Sequence, residues 1–244
     1  MAEVARSWWA RATLIGSVVA LALLFLGPIG TRIGVWGFQT GLLILIPAGV
    51  LLAAIGLLVG IISIFVSKKR GFTADMPIVF TSIALCAVIL VVMGMQFQKG
   101  TSVPPIHNIS TDLSDPPQFN AIVPLRGEGT NPLAYDAEKI GPQQQAAYPE
   151  VETLKVATPP AETVGRVVIA LQEMGLEIVA SDAQAGIVEA TATTFWFGFK
   201  DDVVVRVRPA NGGSIVDARS VSRVGLSDLG ANAARIMELL GKLG

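Results

Sequence analysis

The side chains of this 244-residue chain that are equipped for recognition or catalysis gather late in the sequence. Asn211-Gly212 is the strongest short hairpin signal, and it joins two strand-like runs, Val203–Pro209 and Ser214–Ser222. A two-residue turn there sets Arg208 opposite Ile215, Arg206 opposite Asp217 and Val204 opposite Arg219. Side chains alternate between faces along a strand. One face therefore collects Asp202, Arg206, Arg208, Asp217, Arg219 and Arg223, joined by Glu177 and Glu189 from neighbouring strands. Val203, Val205, Val207, Val216, Ala218 and Ser220 take the other. Arginine forks suit carboxylate and phosphate, so the charged face is a candidate surface for an anionic headgroup or a protein. The plainer expectation is a solvated face stitched by pairs such as Arg206–Asp217, each worth about 0.2–1 kcal/mol.

A second candidate is the aromatic run Phe195, Trp196, Phe197 and Phe199 around Gly198. Such a run can dip into lipid or line an apolar pocket, although plugging one end of the sheet is the favoured expectation. Catalytic sets are harder to assemble. Asp201 and Asp202 are neighbours in a strand, so they point to opposite faces and form no carboxylate dyad. His107 is the single histidine, with Asp112 and Asp115 nearby. A metal centre needs about four ligands in matched geometry, so a structural or exposed histidine is expected, with no metal and no cofactor. Ser220 and Ser222 lack a histidine to activate them. The reading is a non-catalytic module. The alternative is a hydrolase-like envelope enzyme using Asp202 or Asp217, with arginines clamping an anionic substrate.

What must position these residues is legible from composition. The chain is 52% hydrophobic and 15% charged, against about a quarter charged in soluble domains. Three uncharged stretches, Ala12–Thr31, Gly41–Ser67 and Met76–Gln98, run 20, 27 and 23 residues; roughly 20 apolar residues cross a bilayer as a helix. The first has a basic start but no small-x-small cleavage site, so it reads as an uncleaved anchor. Gly49-x-x-x-Ala53 and Gly56-x-x-x-Gly60 suggest close packing of the second helix, preferably against its own chain's spans. Pro47 reads as a kink or as the first turn of that helix.

Arg6, Arg11, Lys68, Lys69 and Arg70 flank one side of the spans, against Arg32 and Lys99 on the other. The positive-inside rule then puts the N-terminus in the cytoplasm and the C-terminal part outside, as a periplasmic domain on a bacterial inner (plasma) membrane. Beyond Lys99 there are 11 basic and 17 acidic residues, a poor match for nucleic acid. Cys86, inside the third span, leaves the exported part without thiol chemistry. The expected partners are the membrane and an envelope protein or lipid.

The domains expected are a three-helix anchor (1–99), a Pro-rich connector (100–150) and an α+β domain (151–244) on which the connector partly packs. Residues 101–150 hold 8 of the 14 prolines, but Ile106, Ile109, Leu113, Phe119, Ile122 and Val123 are too apolar for a free tether. Val151–Val156 reads as a strand. Thr158-Pro159-Pro160 opens a helix with Val164, Val167, Val168, Leu171 and Met174 on one face, stopped by Gly175. Strands Leu176–Ser181 and Ile187–Thr194 precede the hairpin, and Ser227 caps a last helix carrying Leu229, Ala233, Ile236 and Leu240. The order β-α-β-β-β-β-α predicts an antiparallel sheet with two helices on one face, a helix-grip-like arrangement.

FWFGFKDDVVVRVR (195–208), VDARSVSRVGLSDLGANAARI (216–236) and PPIHNISTDLSDPPQF (104–119) resemble the domain-of-unknown-function 1499 family. That resemblance implies an envelope-associated bacterial domain with no assigned activity.

Overall fold

In lipid every backbone amide must find a partner within its own segment, which a helix provides. In the computed structural model, which describes residues 7–71 and 73–244, the apolar stretches form α1 (Trp8–Arg32), α2 (Ile46–Arg70) and α3 (Met76–Thr101). All three helices are long and apolar enough to cross a membrane. Arg6, one of the charges behind the expected topology, lies outside the described residues. Pro47 sits in the first turn of α2, where a missing N–H does no harm, but a π-helix over Gln39–Leu45 leads directly into it. The small residues of α2 are spent inside the chain. A Cβ on Gly49 would lie 2.9 Å from the Ala20 carbonyl oxygen, and one on Gly56 2.9 Å from the Cys86 sulfur. Asp75 is buried and accepts from the Ser7 N–H at 2.5 Å and its hydroxyl at 2.6 Å, tying the start of α1 to the start of α3.

The chain divides into two compact units, residues up to Gly100 with Trp196–Gly198, and Thr101–Phe195 with Phe199–Gly244. In the second, the elements run β1 (Asn108–Ser110), α4 (Ala137–Ala147), β2 (Leu154–Val156), α5 (Pro160–Glu173), β3 (Glu177–Asp182), β4 (Ile187–Thr193), β5 (Lys200–Ala210), β6 (Gly213–Ser222) and α6 (Ala231–Leu243). The antiparallel sheet has the order β1-β6-β5-β4-β3, and β2 pairs with β6 beside β1. Its hairpin register is the expected one: Arg208 faces Ile215, Arg206 faces Asp217 and Val204 faces Arg219. Val203, Val205, Val207, Val216 and Ala218 bury against Val164, Val167 and Leu171 of α5 and Ala233, Ile236 and Leu239 of α6. The fold is α+β, with both helices on that apolar face.

Three local features differ from the sequence reading. The Pro-rich stretch contributes β1 and α4, neither of which its composition advertises. Gln144 of α4, fully buried, closes the open edge of β1: its side-chain carbonyl accepts the Ser110 N–H at 3.1 Å and its amide donates to the Ser110 carbonyl at 2.6 Å. An edge strand's unpaired backbone is thereby satisfied without another strand. Pro159 rather than Thr158 stands at the N-cap of α5. Helix α6 begins at Ala231 rather than after Ser227. Asp228 supplies its cap, accepting from the Gly230 and Asn232 N–H groups at 2.8 and 2.9 Å; a carboxylate answers the helix dipole better than a hydroxyl.

Candidate functional site

The charged residues meet on one sheet face as the alternation dictates, but apart from Glu177, exposed at the start of β3, and Arg208 they do not look into solvent. Residues 111–135 lie across that face, and the strands' charged groups bond to them and to β1. Asp202, Asp217 and Arg219 are fully buried, as is Glu189. Asp202 takes a bidentate grip from Arg223 at 2.8–3.1 Å and a second guanidinium, Arg126 from the overlying segment, at 2.5 Å. Thr191 donates to the same carboxylate at 3.0 Å. Asp217 pairs with Arg208 at 2.6 Å and Arg206 at 3.2 Å, and accepts from Thr153 at 2.6 Å. The cross-strand Arg206–Asp217 pair is thus present, extended by Asp112 and Asp115, which Arg206 reaches at 3.3 and 2.8 Å. Burial pushes the Asp112 carboxyl up, but the N–H groups of Asp115 and Ser114, the Ser114 hydroxyl and Arg206 outweigh it and hold the group below its ordinary value. Within this cluster around Asp217, Arg208, with 42% of its side chain exposed, is the arginine open to water.

Strand alternation places two further members of the face without disclosing their roles. Glu189 reads as one more surface carboxylate in the sequence. In the structure it accepts the consecutive N–H groups of Asn120, Ala121 and Ile122 at 2.8, 3.0 and 2.9 Å, so it pins the covering segment by its backbone. Arg219 has no carboxylate within ion-pair reach among the described residues. Its guanidinium donates to Asn108 Oδ1 at 3.0 Å, to the Pro117 carbonyl at 3.1 Å and to the Leu133 carbonyl. It also lies over the Phe119 and Tyr135 rings, 5.4 and 5.7 Å from their centroids, a desolvated cation–π arrangement. Burial pulls its value down to about 10, against the help of Tyr135, which leaves it charged at neutral pH.

On the opposite face Asp201 pairs with Arg235 of α6 at 2.8 Å. Arg235 also donates to Ser220 and Asn232, and Asn232 bridges both Ser220 and Ser222 at 2.6 and 3.0 Å. The two serines therefore seat α6 on the sheet. Asp201 and Asp202 serve different faces, as strand alternation requires. His107 is half-buried with Nδ1 3.4 Å from the Leu226 carbonyl. No cluster of three or more His, Cys, Asp or Glu suited to a metal occurs among the described residues. The aromatic run forms the β4–β5 connection, closed by the Thr194 N–H to Phe199 carbonyl bond at 2.8 Å. Phe195 is 75% and Trp196 53% exposed, so these two do not plug a core, whereas Phe197 and Phe199 are half-buried.

The segment that covers the charged face thus belongs to the same folding unit as the sheet. A family model described as a protein of unknown function, DUF1499, matches residues 108–243, from the first residue of β1 to the last of α6. The chain belongs to the DUF1499 family. Comparison with curated proteins found no match. The DUF1499 match takes in the Pro-rich stretch, the charged face beneath it and both helices as one module, and leaves the three apolar helices outside.

This DUF1499 domain carries both tyrosines of the chain, Tyr135 and Tyr148. Burial pushes Tyr135 up to about 12, against the opposing pull of Arg219, and burial likewise raises Tyr148. The ordinary value is about 10. The folded state holds phenol protons that the unfolded chain has released, so this stabilisation is complete below about pH 10 and is lost as pH rises toward 12. Native protein at about pH 10 is expected to show less tyrosinate absorbance than protein in denaturant, which shows half its full signal. Coincident titrations of the two would contradict the buried placement.

Proposed function

We propose that the chain is a membrane-anchored, non-catalytic envelope module. Three helices hold the DUF1499 domain outside a bacterial inner membrane, with the N-terminus in the cytoplasm, and the domain binds a protein or lipid component of the envelope. The observation that carries this reading is where the charge goes. The carboxylates best placed for catalysis, Asp202 and Asp217, are fully buried and each is held by two arginines. Groups so committed hold the covering segment to the sheet; they are not poised to attack a substrate or take up its proton. Crosslinking in intact cells followed by detergent solubilisation is expected to recover the chain joined to another envelope component. Repeated recovery of the chain alone contradicts the reading.

The hydrolase alternative makes a different forecast for Asp217. Asp217→Asn leaves two arginines facing one neutral amide in a buried site, and loss of one partner of a buried pair costs about 3–5 kcal/mol; Arg208 is part-exposed, so about 2–3 kcal/mol is expected here. The module reading predicts a lowered melting temperature and, in cells, a loss of protein in step with any phenotype. A steep phenotype at unchanged melting temperature and protein level favours the enzyme.

A further inference from the structure

The charged face is largely covered, and the domain's open apolar surface lies elsewhere. Besides Val123, Leu125 and Ile169, the large apolar side chains that the domain exposes stand in two loops at one end of the sheet. Phe195, 75% exposed, stands in the β4–β5 connection; Leu226, 82% exposed, and Leu229, 46% exposed, stand in the β6–α6 connection. Strand pairing puts the two loops side by side. Thr193 pairs with Lys200, Asp201 pairs with Ser222, and Val221 pairs with Asn108 at the start of β1.

We infer that this end of the domain is a membrane-docking face, whose partner is the lipid surface of the bilayer that the helices span. Three observations carry it. First, β1 starts at this end only seven residues beyond the last residue of α3, so at most about 25 Å of extended chain leashes it to the bilayer. Secondly, the exposed set is of the interfacial kind: a phenylalanine and two leucines, with the exposed Lys200 beside them. Thirdly, the β6–α6 loop is built to hold its leucines out. Leu229 adopts φ +56, the single positive-φ residue other than glycine among those described, a conformation that a side chain with a Cβ disfavours. It is held there by its own N–H to Ser227 Oγ at 3.2 Å and by the Asp228 cap of α6. Asn131 braces the same loop from the covering segment, donating to the Ser222 and Gly225 carbonyls at 3.0 and 2.8 Å. A strained, braced loop with outward leucines presents an apolar surface prepared for an apolar neighbour.

The inference names the lipid arm of the proposed function and rests on its membrane anchorage, not on which side the domain occupies. The test uses the full chain in phosphatidylcholine–phosphatidylglycerol vesicles, with Cys86→Ala as background. Spin labels are placed by Phe195→Cys and Leu226→Cys at the proposed face and by Asn211→Cys at the opposite hairpin turn. Power saturation against oxygen and a water-soluble nickel chelate gives a depth for each. Labels at 195 and 226 are expected to favour oxygen, as in lipid, and the label at 211 to favour the chelate. Chelate-accessible labels at all three positions, in protein that resists alkaline extraction from the vesicles, overturn the docking face while leaving the anchor intact. Protein released by that extraction instead overturns the anchorage, and the inference with it. Unchanged melting temperatures of the labelled variants establish that the depth readings come from folded domain.

Discussion

Arg219→Leu is expected to destabilise the domain by roughly 3–4 kcal/mol, the largest loss from any single member of the charged face. Leucine fills part of the volume but strands three acceptors, Asn108 Oδ1 and the carbonyls of Pro117 and Leu133. A buried acceptor without a partner costs roughly 1–3 kcal/mol, and the cation–π contacts with Phe119 and Tyr135 vanish too. Relief of the guanidinium's own desolvation offsets some of this. Thermal unfolding of the detergent-solubilised protein reads it as a fall of about 10 °C in Tm. Arg219→Lys keeps the charge yet cannot reproduce a planar fork aimed at three acceptors, so it is expected to recover less than half the loss. A Tm within about 2 °C of the parent for Arg219→Leu contradicts the buried assignment.

Glu189→Gln is expected to cost about 2–3 kcal/mol despite its near-identical shape, since hydrogen bonds to a charged group contribute about 1.5–3 kcal/mol. The carboxylate offers two acceptor atoms to three N–H donors. An amide keeps one, best used on Asn120 and Ala121, and turns an NH2 group toward the N–H of the fully buried Ile122. The damage is local, so limited proteolysis should cut near residues 117–126 in the variant before the parent is touched there. Equal cutting rates at this segment contradict its pinning by Glu189.

How far the sequence discloses these arrangements depends on the range of the interaction. The spans are legible because lipid tolerates few charges, and Lys68-Lys69-Arg70 and Arg32 mark their borders. The β5–β6 register is legible because Asn211-Gly212 fixes the turn and one-residue slippage would send Val205 and Asp217 to the wrong faces. The covering segment is hidden for a physical reason. β1 is three residues long and pairs with β6 across more than a hundred residues, and α4 holds an internal proline and no apolar stripe. Its hint is the surplus of Ile106, Ile109 and Ile122 in a stretch too proline-rich for regular structure; all three are buried. Likewise, alternation tells which face Arg219 and Glu189 share, but not that backbone groups from residues 117–133 are their partners. Among short-range signals the cap of α6 misleads, because Ser227 and Asp228 compete there and the carboxylate wins.

The ionic face of the sheet lies largely inside the domain, covered by its Pro-rich segment. Hydrogen–deuterium exchange on the full chain in detergent, read at the amides of Asn120, Ala121 and Ile122, tests it most directly. Protection comparable to that of β5 and β6 is predicted, with release in Glu189→Gln while the strands stay protected. Exchange of these three amides at the rate of free coil in the parent protein would mean the face is open to solvent, and its arginines would again be a surface waiting for a ligand.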